Sequence, residues 1–120
     1  MSTTDKCCTI VPYFKIAPTN LDAFRALCKK LMTKVSDEPG CLYYGFSFAD
    51  DEAHCREGYA DAEAMLIHNR NVADLFAEVQ KVATVTRLEV HGPAEELAKL
   101  REPLSGMRAQ FFVLEYGFRR

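Results

Sequence analysis

The sequence predicts an α+β domain of β-α-β-β-α-β order, and three observations carry that prediction. Two segments, 20–36 and 61–81, repeat apolar residues at three- and four-residue steps, the spacing of an amphipathic helix. Four short segments, 8–16, 41–49, 54–60 and 84–91, have strand composition and surround those helices in the order of a split βαβ unit. Turn-forming residues, Pro18-Thr19-Asn20, Pro39-Gly40 and Asp50-Asp51-Glu52, separate them. The expected product is a four-stranded antiparallel sheet with two helices on one face.

Residues 8–16, CTIVPYFKI, form the first strand, and Pro12 removes one ladder donor, so an irregularity is expected there. Thr19 with Asp22 three residues on fits a capping box for the first helix. Leu21, Phe24, Leu27, Cys28, Leu31 and Val35 make its apolar stripe, and Pro39-Gly40 stops it. On the second strand Leu42, Tyr44, Phe46 and Phe48 share one face. On the third, Cys55, Glu57 and Tyr59 share a face, opposite His54, Arg56 and Gly58.

Asp61 is a natural N-cap for the second helix, whose inward positions are Met65, Leu66, Val72, Leu75, Phe76 and Val79. The run His68-Asn69-Arg70-Asn71 has poor helix propensity and predicts a break. After the fourth strand, Gly92-Pro93 opens a short helix with Leu97 and Leu100 inward and Glu95–Lys99 as an outer pair. Residues 109–118, AQFFVLEYGF, read as a ten-residue strand, about 33 Å at the usual rise. As a free edge it would be an aggregation hazard, so pairing within the chain or across a homodimer is expected.

Composition narrows the function. The 120 residues are one domain in length, and 48% hydrophobic content suffices for an ordinary core. A net charge of -2 with scattered basic residues, the densest being Lys29, Lys30 and Lys34, argues against nucleic-acid binding. No apolar run approaches membrane-spanning length, and MSTTDK lacks a signal-peptide core, so a cytoplasmic protein is expected. The five cysteines have no metal-ligand spacing and read as reduced thiols; Cys55 beside His54 is the best candidate for a reactive one.

Residues 38–44, EPGCLYY, and 57–68, EGYADAEAMLIH, resemble the two signatures of the antibiotic-biosynthesis-monooxygenase family of dimeric α/β barrels. Those signatures read E-P-G-C-L-x-Y and E-x-W-x-[DS]-x-x-A-L-x-x-H. Glu57, Asp61, Ala64 and His68 match in place, while Tyr59 stands where tryptophan is usual and Met65 where leucine is. The resemblance spans a core of about 8–91, leaving 92–120 as an extension. It implies a ferredoxin-like domain, a homodimer with sheets packed face to face, and a cavity between each sheet and its helices. Members include cofactor-free oxygenases of aromatic polyketides, quinol oxygenases and haem-degrading enzymes.

The haem-degrading members use a tryptophan, which this chain lacks, and the second histidine of many members is replaced by Ala73. The expectation is therefore a monooxygenase without a cofactor, acting on a small aromatic or quinol-like compound. The alternative is a non-catalytic dimeric barrel that binds an apolar metabolite. The chemistry asks for an apolar slot and a base or hydrogen-bond donor. His68 is the candidate base, on the apolar stripe of its helix, with Tyr59 orienting a phenolic oxygen. Tyr44, Phe46, Met65, Val72 and Phe76 are the candidate ligand-binding residues. The competing readings are a structural His68 bonded to a backbone carbonyl, aromatic residues that are simply core, and a Glu57 paired with Arg56 or Arg87.

Overall fold

The computed structural model describes residues 4–120. β1 (Cys8–Lys15) lies inside the sheet, antiparallel to β3 (Glu52–Tyr59) on one side and to β4 (Thr84–Gly92) on the other. β2 (Cys41–Ala49) pairs antiparallel with β3 through a tight turn at Asp50, a non-glycine with φ 54°. The sheet order β2-β3-β1-β4 is the ferredoxin-like arrangement, and β5 (Gln110–Val113) adds a fifth strand beyond β4.

The irregularity expected near Pro12 falls one residue later. Register with β4 slips between Tyr13 and Phe14, and the extra residue, Thr86, donates its hydroxyl to the Tyr13 carbonyl at 3.3 Å. A second bulge in β2, between Cys41 and Tyr43, corrects the expected alternation. It turns Leu42 outward, 42% exposed, while Tyr44, Phe46 and Phe48 keep the helix-facing side.

α1 (Leu21–Val35) buries Phe24, Cys28, Leu31 and Val35 as its spacing requires. The expected capping box is absent: Thr19 lies inside a 3-10 turn, Pro18–Asn20, so Asn20 takes the N-cap position and no side chain caps the helix. The second helix is broken, as its composition predicts, into α2 (Ala62–Asn71) and α3 (Ala73–Val82), with Val72 at the joint. Asp61 caps α2, its carboxylate accepting the Ala64 N–H at 2.9 Å.

The extension begins with α4 (Ala94–Leu100), which buries Leu97 and Leu100. Lys99 does not pair with Glu95. It reaches Glu96 at 3.1 Å and Glu63 at 3.4 Å, because the buried Glu96 carboxylate is anchored by the Ala62 N–H at 3.0 Å. The ten-residue strand is also corrected. Only Gln110–Val113 pair with β4, parallel and in the same chain, and Tyr116 makes an isolated bridge. The ladder cannot continue because β4 ends at Gly92, whose carbonyl accepts the Leu114 N–H at 2.7 Å. Beyond that the chain is tied back by Arg119, which binds Asp5 through two contacts of 2.7 and 3.0 Å.

Two apolar clusters fill the space between sheet and helices. One joins Cys8, Ile10, Tyr59, Met65 and Val90 to the extension through Leu97, Leu100 and Leu104. The other joins Phe14, Phe24, Leu31, Val72 and Val79 beneath α1 and α3. No helix among the described residues is long and apolar enough to cross a membrane.

Candidate functional site

Between the clusters lies a cavity of about 230 Å³ whose wall is mostly apolar. β1 contributes Ile10, Pro12 and Phe14, β2 contributes Tyr44 and Phe46, and the broken helix contributes His68, Asn69, Val72 and Phe76. The α2–α3 joint at Val72 thus sits on the cavity wall. Glu57 enters from β3, because its alternation places it with Cys55 on the helix-facing side.

Glu57 and His68 belong to a buried chain of polar groups. Tyr59 donates its hydroxyl to Glu57 Oε1 at 2.5 Å. His68 Nε2 lies 3.2 Å from the same Oε1, and His68 Nδ1 lies 3.0 Å from Glu38 Oε2. Asn71 donates its amide to Glu38 Oε2 at 2.8 Å. Glu38 arrives from the α1–β2 turn, where its N–H is bonded to the Val35 carbonyl and its carbonyl accepts from Cys41. Both ring nitrogens of His68 therefore face carboxylates, and only the imidazolium can donate to both. Burial alone would lower the His68 pKa, but the hydrogen bonds and charges of Glu57 and Glu38 outweigh it and hold the pKa above the ordinary value. At neutral pH the site offers a proton donor between two acceptors.

Other groups are kept neutral. Burial, with the charge of Glu57 beside them, pushes the hydroxyls of Tyr59 and Tyr44 far above the phenol range. The same two causes raise the Cys55 thiol well above the thiol range, so Cys55 is a poor nucleophile, and His54 lies on the other face of β3. Asn69 lines the cavity with a buried amide nitrogen that has no hydrogen-bond partner. A buried unpaired donor is costly, and an acceptor oxygen in the cavity, from water or a bound molecule, would satisfy it. No group of three or more His, Cys, Asp or Glu side chains among the described residues is placed to hold a metal ion.

His68, Tyr44, Phe46, Val72 and Phe76 come together around the one cavity. Met65 does not join them. Three residues before His68 on α2, it points into the cluster of Tyr59, Ala62 and Leu97 and is fully buried there. Tyr59 also stands off the cavity wall, with its ring 4.7 Å from that of His68, and it reaches the site only through Glu57. Arg56 faces away and lies over the Tyr43 ring at 5.0 Å. Glu57 pairs with neither Arg56 nor Arg87, since it points inward to Tyr59 and His68. Sequence reasoning missed Glu38 and Asn69 as site residues. The signal for Glu38 was present, since it opens the first signature; Asn69 carried none.

The two signatures touch. Glu38 of the first meets His68 of the second, and Gly40 of the first packs against Ala64 of the second so closely that a Cβ there would lie 2.6 Å from the Ala64 Cβ. The similarity to known proteins follows this geometry. The model of the family described as antibiotic biosynthesis monooxygenase matches residues 8–82. The crystal structure of MupZ from Pseudomonas fluorescens is similar over 97% of this chain and 96% of that one, with 51% identity and a TM-score of 0.93. Rv0793 from Mycobacterium tuberculosis, 23% identical over 72% of this chain and 94% of that one, has a TM-score of 0.64. A variant of SnoaB, a cofactor-independent oxygenase from Streptomyces nogalater, is 12% identical over 71% of this chain and 88% of that one, with a TM-score of 0.60. The last two show likeness of fold. A comparison with curated proteins gives no match. The chain belongs to the antibiotic biosynthesis monooxygenase family.

Proposed function

We propose that the chain is a cofactor-independent monooxygenase acting on a small aromatic or quinol-like compound. The observation that carries this reading is an apolar cavity whose polar wall is Glu57 and His68, with the unpaired Asn69 amide facing the same space. A phenol or an activated ring carbon in the cavity gives its proton to Glu57, the one of the two carboxylates beside the imidazolium that lines the cavity. His68 stays protonated and, with Glu38, holds Glu57 in place; Tyr59 fixes the Glu57 carboxylate from behind. The Asn69 amide stabilises the oxygen on which negative charge develops. The substrate anion then reacts with O2: one oxygen atom becomes a carbonyl on the substrate and the other leaves as water. All four electrons come from the substrate.

Homodimerisation through the open face of the sheet is part of the same reading. Its support is Phe118, 71% exposed, beside the face that carries Val11, Tyr13 and Tyr43. Sedimentation at micromolar concentration tests it, and a stable 13.6 kDa monomer overturns it.

The activity test is oxygen uptake by the purified protein with naphthohydroquinones and anthrones. The expected result is one O2 consumed per anthraquinone or hydroxynaphthoquinone formed, with water and no hydrogen peroxide as the second product, and large loss in Glu57→Gln. No uptake above buffer, or rates in Glu57→Gln and His68→Ala equal to that of the unaltered protein, defeats the proposal. A second reading rests on the acid–base couple itself. An imidazolium beside a carboxylate supports proton transfer on an apolar substrate with no oxygen consumed. Turnover that persists under anaerobic conditions selects that reading.

A further inference from the structure

The turn Ser105–Met107 in the extension brings Met107 to the cavity wall beside Phe76 and Leu88. These three side chains also line the inner side of a surface groove of about 390 Å³. Groove and cavity thus share a wall, and a rotamer change of the flexible, half-buried Met107 thioether in it would join them into one path. Together they fall within the range of about 300–1,000 Å³ usual for small-molecule sites.

The two ends of the path differ in charge. The inner end holds two carboxylates, Glu57 and Glu38, around one imidazolium, so it repels a second anion. On the groove Arg108 is the one charged side chain, next to Gln80. Arg108 is exposed and makes no ion pair among the described residues. Its φ of 55° places a non-glycine residue in the left-handed region, at a cost of about 1 kcal/mol. This left-handed residue is the C-cap of the Ser105–Met107 turn, and it sets where the Arg108 side chain leaves the backbone at the groove.

We infer that this path takes an apolar molecule with one anionic end, a carboxylate or a phosphate. The apolar body passes Met107 toward Glu57, and the anion stays at the rim on Arg108 and Gln80. The inference deepens the functional reading above and rests on it only for which end of the ligand reacts.

Binding measured by calorimetry, without turnover, tests it. The ligands are decanoate, decyl phosphate, decanol and decyltrimethylammonium. Decanoate and decyl phosphate are expected to bind about tenfold more tightly than decanol, the worth of one charge-assisted contact, and the ammonium more weakly still. Arg108→Gly removes the charge while suiting the left-handed backbone, and should erase the preference; Arg108→Lys should keep most of it. Met107→Trp should weaken all four ligands by narrowing the passage. Equal affinity for decanoate and decanol, an anion preference surviving in Arg108→Gly, or no binding of any of the four overturns the inference. Oxygen uptake without anion preference defeats this inference alone, and anion preference without oxygen uptake defeats only the monooxygenase reading.

Discussion

Replacing Gly40 by alanine tests whether the contact between the two signatures sets the position of α2. The added Cβ would lie 2.6 Å from the Ala64 Cβ and 3.6 Å from its Cα. Ordinary carbon contacts need about 3.5–4 Å, so α2 must retreat by about 1 Å. Overpacking of this kind costs about 1–3 kcal/mol. Gly40 has no positive φ, so alanine fits the backbone and restricts the unfolded chain, returning about 0.4–1 kcal/mol. The expected net loss is about 1–2 kcal/mol, or roughly 5–10 °C in Tm for a chain of this size. Ala64→Gly alone should cost about 0.5–1 kcal/mol through helix entropy. In the double variant it should relieve the clash, giving a coupling of at least about 1 kcal/mol in a urea double-mutant cycle. An effect of Gly40→Ala below about 0.5 kcal/mol, or additive behaviour of the pair, refutes the reasoning. Because Glu38 lies two residues upstream and His68 four downstream of the contact, the same variant should lengthen the 3.0 Å Glu38–His68 bond and lower the His68 pKa.

Tyr59→Phe removes a buried hydroxyl donor to a carboxylate and should destabilise by about 1.5–3 kcal/mol, measured by urea unfolding; a change within error would show that Glu57 is held otherwise. His68→Ala strands two buried carboxylates and should cost about 3–5 kcal/mol near neutral pH, with recovery in acid as they protonate. His68 itself has a folded-state pKa above its ordinary 6.5, so its stabilisation is complete below that value and is lost as pH rises through the folded pKa. An NMR titration of its ring proton should therefore have a midpoint above 6.5, and one at or below that value contradicts the proposed imidazolium. Burial pushes Cys8 up to about 12 and Cys28 and Cys41 up to about 11, so a thiol reagent at pH 8 should label the native protein slowly. Immediate labelling of these three would count against the packing described.

The parts of the fold legible in the sequence are those governed by short-range periodicity. Phe24, Cys28, Leu31 and Val35 announce a helix face, Asp61 announces a helix start, and His68 to Asn71 announce a break, because each acts within one turn of helix. Bulges are less legible. Leu42 looks equivalent to Tyr44 until the pairing of β2 with β3 shows that a residue has been inserted between Cys41 and Tyr43. The length of β5 depends on where its neighbour stops, and nothing in residues 109–118 records that β4 ends at Gly92. The site is a tertiary object in the same sense. Glu38, Glu57 and His68 lie 30 and 11 positions from one another's motif partner, so their contact emerges only when α2 docks on β3 and the α1–β2 turn. Met65 reads as a cavity residue because the apolar stripe of α2 is wide. The structure splits that stripe, giving Met65 to one cluster and His68 to the space between two.

The extension divides labour along the chain. The acid–base groups all come from residues 38–71, whereas the wall at Met107 and the rim at Arg108 come from a segment added after β4. On the proposed function, access and reactivity are thus encoded in separable stretches of sequence. A relative that kept the first stretch and lengthened or replaced the second would admit a differently shaped molecule to an unchanged proton-transfer centre. On that reading a small scaffold acquires new substrates by editing its tail rather than its core.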